Sequence, residues 1–201
     1  MYVISVLVSG KGSGLDNLAF HCYDELEGIL RNFVTIGCVI ADRECEALEI
    51  ADGWGIPKFV IPPTGDIVEW SKQLFPSTDE IDLYAMSGWL SKVQVPKWAE
   101  NKILNIHPSL LPKHGGEGMY GRNVHEAVKA SGDNISGCTV HIVDNELDHG
   151  EVLMQERVAV LPWESVDQLE HAVKAREKLT YPRAILNYLK GNIKKLPSDA
   201  K

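Results

Sequence analysis

The sequence has no apolar run long enough to cross a membrane, no net positive charge, no closely spaced cysteine pair and no low-complexity linker or repeat. Each absence removes a class of function. The apolar stretch VTIGCVIA ends at Asp42, well short of the roughly 20 residues that a membrane helix needs. A net charge of −8 disfavours nucleic acid, which selects basic surfaces. It leaves a small phosphate ligand open, because backbone N–H groups bind an anion without any cationic side chain. Cys22, Cys38, Cys45 and Cys138 are scattered without a C-x-x-C pair, which argues against a disulfide framework or a zinc site. Reduced thiols in a cytoplasmic protein that binds no metal are expected. The opening MYVISVLVSG has no basic leader and is expected to enter a strand directly rather than serve as a signal peptide. A length of 201 residues suits one core. A single domain over 1–191 is expected, with a polar tail over 192–201.

Hydrophobic patterning supplies the architecture. YVISVLVS, FVTIGCVIA, KFVIPP, IDLYAMSG and KILNIH are short β-branched or apolar runs that read as strands. They alternate with segments of helical spacing: LDNLAFHCYDELEGILRN, with Leu15, Leu18, Ala19, Cys22, Leu26 and Leu30 on one stripe, then ECEALEIADGWG and DIVEWSKQLF. That alternation predicts an open parallel α/β sheet up to residue 107. Beyond it the pattern changes. NVHEAVKAS reads as a short helix, SGCTVHIVDNELDHGEVLMQERVAVLP as two long strands joined by an acidic turn, and SVDQLEHAVKAREKLTYPRAILNYLKG as a long helix interrupted near Pro182.

VSGKGSGLDN lies between the first strand and the first helix. Gly10, Gly12 and Gly14 allow a tight turn, the free N–H groups of a helix start can hold a phosphate, and Ser13 adds a hydroxyl. A dinucleotide fingerprint would place its third glycine where Leu15 stands, and no Gly-Lys-Ser/Thr follows, so a monophosphate fits better than a dinucleotide. Asp42, after the second strand, could imitate the ribose-binding acid of an NAD enzyme, but a surface or capping role beside Arg43 is the simpler expectation.

LNIHPSLLPKHGG places Asn105, His107 and Ser109 at the end of the fifth strand, between Pro108 and Pro112. Residues two apart on a strand share a side, so Asn105 and His107 can face one pocket. An amide donor beside a titratable ring suits oxyanion stabilisation and proton movement, although a turn-capping Asn and a structural His would look the same locally. DNELDHG brings carboxylates at Asp144, Glu146 and Asp148. One of these laid against His107 would orient its ring.

Taken together, NIHPSLLPK, GCTVHIVDNELDHGEVLMQE and VSGKGSG resemble the folate-dependent formyltransferase family, and the resemblance runs from Val3 to the neighbourhood of Gly191. It implies an α/β, Rossmann-like formyltransferase fold: a mostly parallel central sheet with helices on both faces and a mixed C-terminal half. It implies transfer of a formyl group from 10-formyltetrahydrofolate, a co-substrate, to the amine of glycinamide ribonucleotide in purine synthesis, by direct attack and without a metal. Asn105, His107 and Asp148 match the family's catalytic trio. Gly12, Ser13 and Gly14 match its phosphate loop. Glu177 matches the acid that binds the ribose hydroxyls, and Lys174 falls near the same substrate. Met86, Ser87 and Gly88 match the backbone that lines the glycinamide. Trp89, Leu90, Ser91 and Val93 match one wall of the folate pocket, and Val143, Asp144, Asn145 and Glu146 the other. His141 falls behind the trio, and His125 matches a family histidine that could equally sit at a helix start or on the surface.

Three departures stand out. The family usually carries Asn where Gly14 stands, which removes a side-chain contact to phosphate but no backbone donor. An Arg is common at Ser91. The stretch HGGEGMYGRNVHEAV is long, and it is expected to form a flap from which Met119 or Tyr120 reaches the folate. No nucleic-acid or membrane partner is expected, and the chain should be a monomer or homodimer. A formyltransferase acting on an amino sugar nucleotide and a non-catalytic folate- or nucleotide-binding module are the competing readings.

Overall fold

The computed structural model describes residues 1–191, so the polar tail over 192–201 lies outside the described residues. Strands β1 (Tyr2–Val8), β2 (Val34–Ala41), β3 (Lys58–Val60), β4 (Leu83–Met86), β5 (Ile103–His107), β6 (Ile135–Ile142) and β7 (Val152–Ala159) follow the order β3-β2-β1-β4-β5-β6-β7. Helices α1 (Ser13–Tyr23), α2 (Ala47–Gly53) and α3 (Ile67–Leu74) follow β1, β2 and β3, α4 (Arg122–Ser131) follows β5, and α5 (Val166–Leu189) follows β7. The chain divides into two compact units, Met1–Asn105 and Ile106–Lys201.

In the first unit, β1 pairs in parallel with β2 and β4, β2 with β3, and β4 with β5. The continuous apolar run of β1 is buried from Ile4 to Val8, as expected of a strand covered on both faces. Parallel pairing places the turns after β1, β2 and β4 at one end of this sheet, the carboxyl end, where open α/β sheets bind ligands. α3 starts at Asp66, whose carboxylate accepts the N–H groups of Val68 and Glu69 at 2.9 and 3.1 Å.

α1 is shorter than the helical stripe through Leu30 predicts. It ends at Tyr23, because the Asp24 carboxylate accepts the N–H groups of Leu26 and Glu27 at 3.0 and 2.8 Å and turns the chain out of the helix. Leu26 consequently stands 94% exposed rather than on the core face.

In the second unit, β6 and β7 form the expected antiparallel pair. β6 is buried along almost its whole length, whereas β7, last in the strand order, alternates between more and less covered positions. The core here joins Val128 of α4 and Cys138 of β6 to Val160, Leu169 and Val173, with Ile106 and Val158 packed against them. α5 opens with a capping box, Ser165 and Gln168 each bonding the other's backbone N–H. The expected interruption at Pro182 does not occur, and α5 is continuous to Leu189. Proline removes one N–H from the helix ladder, but Thr180, Tyr181, Ala184 and Ile185 are buried around it, and this packing outweighs the lost bond.

Candidate active site

The first unit presents a loop built from backbone. Gly12 sits at the N-cap of α1 with φ +78°, a left-handed conformation, and no side chain caps the helix, so its first-turn N–H groups remain available to an anion. A Cβ at Gly12 would lie 2.7 Å from the Cα of Ala47, so this position tolerates only glycine. A Cβ at Gly14 would lie 2.0 Å from Ser87 Oγ.

The segment from Met86 to Val93 is tied to the end of β1. Ser87 N–H donates to Leu7 O at 2.9 Å, Ser9 N–H to Gly88 O at 3.2 Å, and Leu90 N–H to Ser9 Oγ at 3.0 Å. Trp89 stacks on Trp70 with ring centroids 6.0 Å apart, and its Nε1–H donates to Ser91 O at 2.6 Å. Ser91 Oγ–H donates to Asp42 Oδ2 at 2.5 Å. Asp42 is 1% exposed, not a surface residue, and takes the Arg43 fork at 2.9 and 2.8 Å. Burial pushes its carboxyl pKa upward, but the bonds from Arg43, Ser91 and Ser9 prevail and hold it below the ordinary carboxylate value. Asp42 is therefore committed to protein partners, which removes it as a ribose ligand.

The second unit gathers side chains. Asn105, last residue of the first unit and half-buried, and His107, buried, lie two positions apart on β5. His107 Nε2–H donates to His114 O at 2.8 Å, and Nδ1 lies 3.4 Å from Asp148 Oδ1. Asp148 sits at φ +54° and accepts Gly116 N–H on Oδ2 at 2.9 Å. Burial would raise the Asp148 carboxyl, but the bond and charge of His107 and the Gly116 N–H outweigh it, so its pKa falls below the ordinary carboxylate value. His141 Nε2 lies 3.7 Å from the same Asp148 oxygen, and desolvation lowers the His141 pKa. The carboxylate that sequence reading left loose is thus against His107, with His141 behind it. The trio's imidazole and carboxylate are built from β5, the β6–β7 connection and one backbone N–H.

Farther along, Lys174 bonds Glu170 at 2.5 Å on α5. Glu177 is half-buried, and desolvation raises its carboxyl to about 7 against the opposing pull of Lys174 and His107. His125 is buried in the first turn of α4 at 1% exposure, not on the surface, and its Nδ1 has no hydrogen-bond partner among the described residues. The connection after β6 is shaped by Asp144, which accepts Glu146 N–H at 2.8 Å and meets His149 Nδ1 at 2.8 Å. Tyr120, in the long stretch before α4, is 53% exposed. Sequence reading missed His114 and Gly116, which act through a carbonyl and an N–H. Backbone groups leave no residue-type signal, and only the left-handed backbone of His114 and Gly116 marks them. Among the described residues no group of three or more His, Cys, Asp or Glu could hold a metal ion, and no helix is long and apolar enough to cross a membrane.

A family model described as formyl transferase matches residues 3–185. The chloroplastic phosphoribosylglycinamide formyltransferase of Vigna unguiculata is 35% identical over 90% of this chain, and the chain spans 59% of its length. The phosphoribosylglycinamide formyltransferase of Haemophilus influenzae is 31% identical over 96% of this chain and 90% of its own. The crystal structure of phosphoribosylglycinamide formyltransferase from Anaplasma phagocytophilum superposes with a TM-score of 0.81 at 34% identity, covering 98% of this chain and 91% of that one.

Proposed function

The chain belongs to the formyl transferase family, and we propose that it transfers a formyl group from 10-formyltetrahydrofolate to the amine of glycinamide ribonucleotide, a step of de novo purine biosynthesis. The names of its relatives support the acceptor, and the observation that carries the chemistry is His107 held between the His114 carbonyl and Asp148 at the end of β5.

The amine lone pair attacks the formyl carbon, and the carbonyl π pair moves onto oxygen. Asn105 and His107 donate to that oxyanion, with His107 exchanging the His114 carbonyl for the substrate oxygen. The attacking nitrogen sheds a proton, which Asp148 assists through water. The oxyanion pair re-forms the carbonyl, the bond from carbon to N10 breaks, and N10 leaves with a proton as tetrahydrofolate. No covalent bond to the protein forms. Donors aimed at the oxygen where charge develops lower the barrier, once His107 has released the His114 carbonyl. Asp148, kept ionised by its low pKa, lies against Nδ1 of His107 and orients the ring for this step.

Gly12, Ser13 and Gly14 bind the phosphate, and Lys174 and Glu177 bind the ribose side of the ribonucleotide. The backbone of Met86, Ser87 and Gly88 lines the glycinamide. Trp89, Leu90, Ser91 and Val93 contact the folate, and the backbone of Val143, Asp144, Asn145 and Glu146 also takes part in folate binding. The four cysteines, all free, suit a cytoplasmic setting.

A spectrophotometric transfer assay tests the proposal, with glycinamide ribonucleotide as acceptor and an amino sugar nucleotide as control. Turnover with the ribonucleotide alone is expected. Turnover with the control alone would keep the chemistry and replace the acceptor. Folate binding without turnover of either would make the chain a binding module.

A further inference from the structure

Gly14, the second residue of α1, carries no side chain. The space is not empty. Ser87 Oγ stands 2.0 Å from where a Cβ on Gly14 would be. Ser87 itself is 8% exposed, and its one hydrogen bond among the described residues is made by its backbone N–H, not by its hydroxyl. A hydroxyl on a largely covered side chain, with no partner in the protein, has its donor and acceptor capacity free for a ligand.

What lies beside it is the first turn of α1, an 11-residue helix whose N-terminal N–H groups have no side-chain cap. The hydroxyl is also held firmly. Ser87 N–H is fixed on Leu7 O, the next carbonyl receives Ser9 N–H, and Leu90 N–H closes on Ser9 Oγ, so the turns after β1 and β4 are laced at three points. A donor carried on such a frame loses little freedom when a ligand arrives.

We propose that the Ser87 hydroxyl, standing in the space that a side chain at position 14 would fill, donates to the substrate phosphate. Position 14 and position 87 are then a coupled pair: a small residue at 14 admits the hydroxyl at 87, and a side chain at 14 would expel it. The proposal rests on the acceptor being a phosphorylated ribonucleotide, but not on formyl transfer taking place.

Two readouts separate those premises. In steady-state assays of the full chain, Ser87→Ala should raise KM for glycinamide ribonucleotide about tenfold, the worth of one hydrogen bond to a charged group, while kcat and the folate KM stay within about twofold. Adding Gly14→Asn to Ser87→Ala should recover most of the lost affinity. Gly14→Asn alone should bind worse than the double variant, because its side chain meets Ser87 Oγ. In a thermal-shift titration with inorganic phosphate, which needs no turnover, phosphate should raise Tm of the wild type and the double variant, and raise that of Ser87→Ala less. An unchanged KM and an unchanged phosphate shift in Ser87→Ala would overturn the proposal. So would a fall in kcat at constant KM, which would move the hydroxyl from the phosphate to the reacting atoms. A wild type that shows the phosphate shift but transfers no formyl group would discard the proposed reaction and keep Ser87 as an anion ligand.

Discussion

The Gly10–Gly14 loop and the His107–Asp148 pair achieve their geometry by opposite means. Three of the loop's five residues are glycine. Its shape comes from residues that lack a Cβ, and its binding groups are the N–H donors of a helix start. The pair consists of side chains, and their geometry is imposed from outside by a carbonyl at His114, an N–H at Gly116 and a left-handed backbone at Asp148. The difference teaches how each can fail. A site made of backbone is damaged by adding atoms, and a site made of side chains by removing them.

Removing them should produce the largest effect. His107→Ala and Asp148→Ala should each lose on the order of 3–5 kcal/mol of transition-state stabilisation, read as kcat/KM, with substrate affinity changing far less. Near-wild-type turnover in either variant would sink the assigned roles and erase the contrast with the loop.

Adding one carbon comes next. Gly12→Ala places a methyl 2.7 Å from Ala47 Cα at a residue with φ +78°. It should cost about 1–3 kcal/mol in denaturant unfolding and raise KM for the ribonucleotide more than it lowers kcat. An unaltered KM would show that the helix start does not touch the phosphate.

A smaller effect comes from Glu177. Its folded carboxyl titrates near 7, above the ordinary 4.5. The folded state therefore holds the proton more tightly than the unfolded state. The associated stability is complete below 4.5 and is lost as pH climbs through 7. Glu177→Gln should flatten this part of the stability–pH curve, an effect on the order of 1–3 kcal/mol across the window. An identical curve in the variant would remove Glu177 from the account. The smallest expected effect is none at all. Burial pushes the Cys22 and Cys138 thiols up to about 12, so a thiol reagent at neutral pH should leave both unmodified in the native protein. Rapid labelling of either would mean that the unit containing it opens.

The same contrast decides what could be read without the fold. The loop was legible because glycine spacing after a strand reports backbone conformation directly. The strands were legible because covered parallel strands are apolar without interruption. α1 was overextended because Asp24 competes for backbone N–H groups over a short range that a hydrophobic stripe does not register. Pro182 was misjudged for the reverse reason: burial around α5 outweighs a local preference.

By itself, the sequence determined the alternation of strands and helices, the glycine turn, the Asn105–His107 spacing on one strand and, by resemblance, the carboxylate that should join them. Tertiary structure alone decided that the His114 carbonyl and the Gly116 N–H hold the His107–Asp148 pair, that Asp42 is spent on Arg43 and Ser91, and that Ser87 fills the space above Gly14. The physical reason is range. Strand pleat and glycine torsions are set within a few residues, whereas a hydrogen bond between distant residues exists only after chain entropy has been overcome by burial.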